Sequence, residues 1–95
     1  EETLRQFGDE NAFFWASYGG AELDLLLIRG GRRFGFEYKC TDAPVMTRSL
    51  ASAIEDLRLD AAWIVYPGRR RYALSKSATA LPLADLPSLR LRRGI

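Results

Sequence analysis

Apolar residues along this chain fall into short dense blocks separated by glycines, prolines and charged clusters. The two clearest blocks cover residues 21–28 (AELDLLLI) and 32–40 (RRFGFEYKC). Both have strand length and strand composition, and Gly30-Gly31 between them can supply the positive φ angles of a tight hairpin turn. With those two glycines as the loop, Asp24 lies opposite Glu37 and Glu22 opposite Lys39. Side-chain alternation then places Leu23, Leu25, Leu27, Phe34, Phe36, Tyr38 and Cys40 on one face, the expected core face. The other face holds Glu22, Asp24, Glu37 and Lys39, together with Leu26, Ile28 and Gly35.

The remaining pattern predicts an alternation of helix and short strand. Leu4 and Phe7, followed by Gly8, read as the end of a helix whose first turns are expected upstream of Glu1. Residues 13–18 read as an aromatic-rich strand, with a turn at Gly19-Gly20. A loop over 41–46 precedes a helix over 47–58, with Thr47 as N-cap and Leu50, Ala53, Ile54 and Leu57 as its apolar stripe. Residues 61–66 form a strand ended by Pro67-Gly68. Short strands are expected over 71–74, 80–83 and 89–91, the last two flanking a turn at 85–87. Helix, three strands, helix and further short strands predict a mixed α/β architecture of sheet and covering helices.

Composition narrows the chemistry. The 95 residues are 47% hydrophobic and 27% charged, which is globular composition for one small domain. The absence of histidine excludes a Ser-His-Asp triad, Cys-His catalysis and histidine-ligated zinc within the chain. The single cysteine, Cys40, excludes an internal disulfide and a Cys-rich zinc site, and is expected to be a buried apolar residue. No run reaches the roughly 18–20 apolar residues of a membrane span, and no signal peptide is visible. The net charge of +2 is mild. Arg69, Arg70 and Arg71 form one basic cluster and Arg90, Arg92 and Arg93 another, read first as solvated edges and second as phosphate-facing surfaces. Phe13, Phe14 and Trp15 read first as core or contact residues.

The informative constellation is Glu22, Asp24, Glu37 and Lys39. Like charges facing one another across a sheet are destabilising, and a hard cation between them relieves the repulsion. Asp24 and Glu37 can supply oxygens to Mg²⁺, with the Tyr38 carbonyl as a further donor. Such a metal activates water and stabilises charge on a phosphoryl oxygen. Lys39 on the same face suits orientation of water and charge compensation, because two nearby carboxylates oppose the lowered pKa that a lysine base needs. The quieter alternative is a Glu22–Lys39 cross-strand ion pair with Asp24 and Glu37 on a solvated face.

Three segments carry a likeness to a known family: residues 14–18, residues 20–27 (GAELDLLL) and residues 35–39 (GFEYK). Together they resemble the C-terminal DUF4143 domain of bacterial and archaeal AAA-type ATPases, which is itself similar to the PD-(D/E)xK nuclease superfamily. Residues 62–67 and 81–86 also match that family's later strand and tail. The resemblance implies a restriction-endonuclease-like α/β fold, a mixed sheet flanked by helices with the first helix truncated. It makes residues 1–95 a single nuclease-like domain, the C-terminal part of a longer cytoplasmic ATPase chain. By position, Asp24 and Glu37 match the metal-binding acidic residues, Lys39 the catalytic lysine and Glu22 an additional acidic position. Leu23 stands where many superfamily members have proline, and the glutamate that many take from the first helix would lie mostly upstream of Glu1. The P-loop pattern G-x-x-x-x-G-K-[ST] is absent, so ATP would bind only in an upstream module.

The implied cofactor is Mg²⁺, and the implied partners are the chain's own upstream ATPase domain and DNA, with no membrane. The implied activity is metal-dependent hydrolysis of DNA phosphodiesters. The alternatives are a catalytically silent module that binds DNA or protein, and a structural domain that packs on its ATPase module.

Overall fold

In the computed structural model the described residues are 12–16 and 22–89, with side chains over 23–89. The predicted helix over 1–8, the Gly19-Gly20 turn, the cluster Arg90, Arg92 and Arg93, and the expected strand beyond Leu89 lie outside the described residues. So do the side chains of Phe13, Phe14, Trp15 and Glu22.

The hairpin forms as the sequence predicts. Strands β2 (Glu22–Arg29) and β3 (Arg32–Tyr38) run antiparallel, in register from Arg29↔Arg32 to Leu25↔Phe36. Gly30 and Gly31 have φ of 58° and 81°, the double positive φ of a type I′ turn. Strand β1 (Ala12–Ala16) pairs antiparallel with the other edge of β2.

A helix then carries the chain across the sheet. Helix α1 (Arg48–Leu57) starts where the Thr47 side chain accepts the Leu50 N–H at 3.0 Å. It ends where Arg58 turns left-handed with φ 52° and Leu59 N–H reaches back to the Ile54 carbonyl at 3.0 Å. Asp60 then clasps the start of β3. Its carboxylate accepts the Arg33 N–H and its own N–H donates to the Arg33 carbonyl, both at 2.8 Å. The Arg33 guanidinium caps the Leu57 carbonyl at 2.9 Å. This clasp delivers β4 (Ala61–Tyr66) parallel to β3. Strand β5 (Tyr72–Ala73) passes to the far edge, and β6 (Ala78–Pro82) returns between β5 and β4, parallel to β4. The six-stranded order is β1-β2-β3-β4-β6-β5. A 3₁₀ helix over Leu83–Ser88 follows in place of the simple turn expected at 85–87.

Two apolar layers cover the sheet. Against α1 lie Leu23, Leu26, Leu50, Ala53, Leu59, Ala62, Ile64 and Ala78. On the opposite face Leu25, Leu27, Phe34, Phe36, Val65 and Leu81 pack with Leu86 and Leu89, and Trp63 stacks on Phe36 at 5.0 Å.

Two expectations are corrected. Leu23 was expected beside Leu25 and Leu27, but it belongs to the α1 side. The cause is a bulge: Phe13 pairs with Leu26 but Trp15 with Leu23, so β2 carries one extra residue between them. The extra residue breaks the alternation and turns Leu23 over. Room for it comes from Gly35, where an added Cβ would meet Leu59 Cδ1 at 2.7 Å and Leu23 Cδ1 at 3.1 Å. Cys40 was expected to be buried, yet it is exposed, because β3 ends at Tyr38 and Cys40 already belongs to the following loop.

Candidate functional site

The site is built at the end of β3, where the β2–β3 ladder gives way. Beyond Leu25↔Phe36 the Asp24 side chain takes over from backbone pairing. Its Oδ2 accepts the Tyr38 N–H at 2.7 Å. The bulge that inverts Leu23 lies in the same stretch, so a change of local register accompanies the delivery of an exposed carboxylate to the end of β3. Asp24 was expected directly across from Glu37. It is instead tied to the next residue along β3.

Glu37 sits in the sheet interior. It pairs with Ile64 of β4 and is 8% exposed. Its Oε2 lies 3.5 Å from the Lys39 amine, whose side chain is 45% exposed. The Lys39 backbone N–H donates to the Val65 carbonyl at 3.0 Å, so the end of β3 is fixed on both sides, by Asp24 and by β4. The alternative Glu22–Lys39 pair involves the Glu22 side chain, which lies outside the described residues. Lys39 pairs with Glu37.

Asp24, Glu37 and Lys39 are thus brought to one short stretch. Among the described residues no group of three or more His, Cys, Asp or Glu side chains gathers as a metal site. The pair Asp24 and Glu37 offers only hard oxygen donors, and the chain has no histidine. Hard oxygens are the donor type that Mg²⁺ takes, commonly from one or two carboxylates with several waters kept.

Sequence reading missed a second feature. The loops after the two parallel strands β3 and β4 enclose an open groove of about 580 Å³. Asp42, Pro44 and Val45 line it from the loop after β3, Arg69 and Arg70 from the loop after β4, together with Tyr66 and Tyr72. Two tyrosines brace it. The Tyr66 hydroxyl donates to the Arg70 carbonyl and accepts the Arg70 N–H at 3.3 Å. The Tyr72 hydroxyl donates to the Pro44 carbonyl at 2.5 Å. The two rings meet edge-on at 6.2 Å. Burial and the facing Tyr66 push the Tyr72 phenol above its usual pKa, while Arg70 pulls it back. Gly68 is required there, since a Cβ would strike the Tyr66 ring. The only sequence signal was the Arg69–Arg71 cluster lying between two tyrosines. Its proximity to Pro44 appears only once β3 and β4 are paired.

The fold and these side chains define a mixed α/β domain with an acidic and lysine-bearing corner at the end of its second hairpin strand. The family described as Domain of unknown function (DUF4143) matches residues 1–86, and the chain belongs to it. An uncharacterized protein of Mycobacterium bovis and one of Mycobacterium tuberculosis are each 44% identical to it over 70 residues. These matches span 74% of this chain and 16% of each relative's length. No solved structure matches the chain significantly. Among the described residues no helix is long and apolar enough to cross a membrane.

Proposed function

We propose that this chain is a restriction-endonuclease-like domain that hydrolyses DNA phosphodiesters with Mg²⁺ held by Asp24 and Glu37. In this reading it is the C-terminal, cytoplasmic part of a longer chain, and ATP binds only to an upstream ATPase module on which the domain packs. The observation that carries the reading is Glu37. A carboxylate only 8% exposed in a sheet interior, beside Lys39 and next to the residue that Asp24 binds, is costly to strip of water. Apolar replacements of buried ion pairs are often neutral or stabilising, so a functional reason for the charges is favoured. When bound, Mg²⁺ would supply an activated water and charge stabilisation at a phosphoryl oxygen. Lys39 offsets negative charge and orients water through its half-exposed amine. Glu22 assists as a further acidic group. The Tyr38 amide fixes the Asp24 carboxylate.

The second reading is a domain that keeps the fold without the reaction and serves as a contact surface. The 3.5 Å Glu37–Lys39 ion pair favours it, because a lysine already engaged by its neighbour needs no substrate.

Titration calorimetry with Mg²⁺ and Mn²⁺, with and without duplex DNA, separates the two. Metal binding by the chain, lost in the Asp24→Asn, Glu37→Gln double variant, is the expected result. DNA cleavage should then be lost in that variant and in Lys39→Ala. Absence of binding at millimolar metal, with DNA present as well, sinks the nuclease reading and leaves the silent domain.

A further inference from the structure

We infer that the groove between the β3 and β4 loops is a docking site for an acidic peptide segment of a protein partner that carries an apolar anchor residue. The inference is independent of the nuclease reading.

Charge is the first ground. Arg69, Arg70 and Arg71 are all exposed, and none forms an ion pair among the described residues. Among the described residues Asp42 is the one carboxylate lining the groove, against two guanidinium groups. The lining is therefore net basic, and its arginine forks suit carboxylates bidentately.

The apolar part decides the class of partner. Val45 is 70% exposed beside Pro44 and the groove, an aliphatic edge suited to an apolar side chain. A single-stranded nucleic acid would need an aromatic face on which to stack. Tyr66 is 3% exposed and packs edge-on to Tyr72, so its ring offers no such platform, which leaves only the half-buried Tyr72 ring, held by its hydroxyl on Pro44, too little for successive bases. An apolar anchor flanked by carboxylates satisfies both loops.

The groove is also pre-formed. The hydroxyls of Tyr66 and Tyr72 are committed to the Arg70 and Pro44 backbones, one in each loop. Binding therefore orders few groups, which favours affinity. This volume is within the range of roughly 300–1,000 Å³ in which ligand pockets usually fall.

The test uses three fluorescein-labelled probes in anisotropy titrations. The first is a short peptide with a central leucine flanked by glutamates. The second is the same peptide with glutamines in place of the glutamates. The third is a single-stranded DNA of equal length. The acidic peptide should bind at least about tenfold more tightly than the neutral one, and the preference should shrink as salt rises. Arg69→Glu with Arg70→Glu, and separately Val45→Asp, should each weaken it by about tenfold or more. These side chains are exposed, so the variants should keep the wild-type far-ultraviolet circular dichroism and thermal midpoint. Asp24→Asn with Glu37→Gln should leave peptide binding unchanged, which keeps this result separate from that of the metal site. Equal affinity for acidic and neutral peptides would overturn the proposal. So would tighter binding of DNA that the arginine reversals abolish and Val45→Asp does not.

Discussion

A methyl group at Gly35 would lie 2.7 Å from Leu59 and 3.1 Å from Leu23, both side chains that close the α1 layer over β3. The missing side chain at this position allows Leu23, inverted by the bulge, to be buried at all. Replacing Gly35 with valine should cost about 1–3 kcal/mol, because overpacking forces neighbours off their rotamers. Urea denaturation would measure it, and a loss below about 0.5 kcal/mol would mean that the leucine tips yield freely. At this scale the sequence was readable where chemistry is local. Asp24, Glu37 and Lys39 stood out because charges interrupt apolar strands; Asp24 binds the Tyr38 N–H and Lys39 pairs with Glu37. Leu23 was misread because its orientation depends on how β1 pairs with β2, which no alternation within β2 reveals. Cys40 was misread because the strand ends two residues earlier than its apolar neighbours suggested.

The elements follow their local signals closely where a cap or turn residue marks them. The Gly30-Gly31 turn, the Thr47 cap and the strand over 61–66 lie where the sequence predicted them. Removing the cap by Thr47→Ala should destabilise the fold by about 1 kcal/mol, read as a lower urea midpoint with unchanged slope. A changed slope would instead mean that the helix frays without cooperative unfolding. The later strands were less legible. Strand β5 is two residues and β6 begins at Ala78, two residues before the predicted start, because their limits are set by pairing with each other and with β4 rather than by propensity. The 3₁₀ helix contains Asp85 and Pro87, read from sequence as plain turn residues, and its Leu86 fills the face opposite α1.

At the scale of the whole molecule, the two candidate sites differ in how far apart their parts lie along the chain. The acidic corner joins residues within one hairpin, whereas the groove joins loops that only the parallel pairing of β3 with β4 brings together. That is why the corner could be read from sequence and the groove could not. It also sets an order of assembly. The Asp24–Tyr38 bond closes a separation of 14 residues, the Asp60–Arg33 clasp one of 27 and the Tyr72–Pro44 brace one of 28. Short loops cost less entropy to close, and hairpins form in roughly 1–10 μs. The type I′ hairpin is therefore expected in the folding nucleus. Stopped-flow kinetics should give Leu27→Ala a φ-value well above that of Leu81→Ala, and the reverse ranking would assign nucleation to the parallel strands. In a chain emerging from the ribosome, β1 to β3 can pair and set the Asp24 corner before the arginine loop of the groove has emerged.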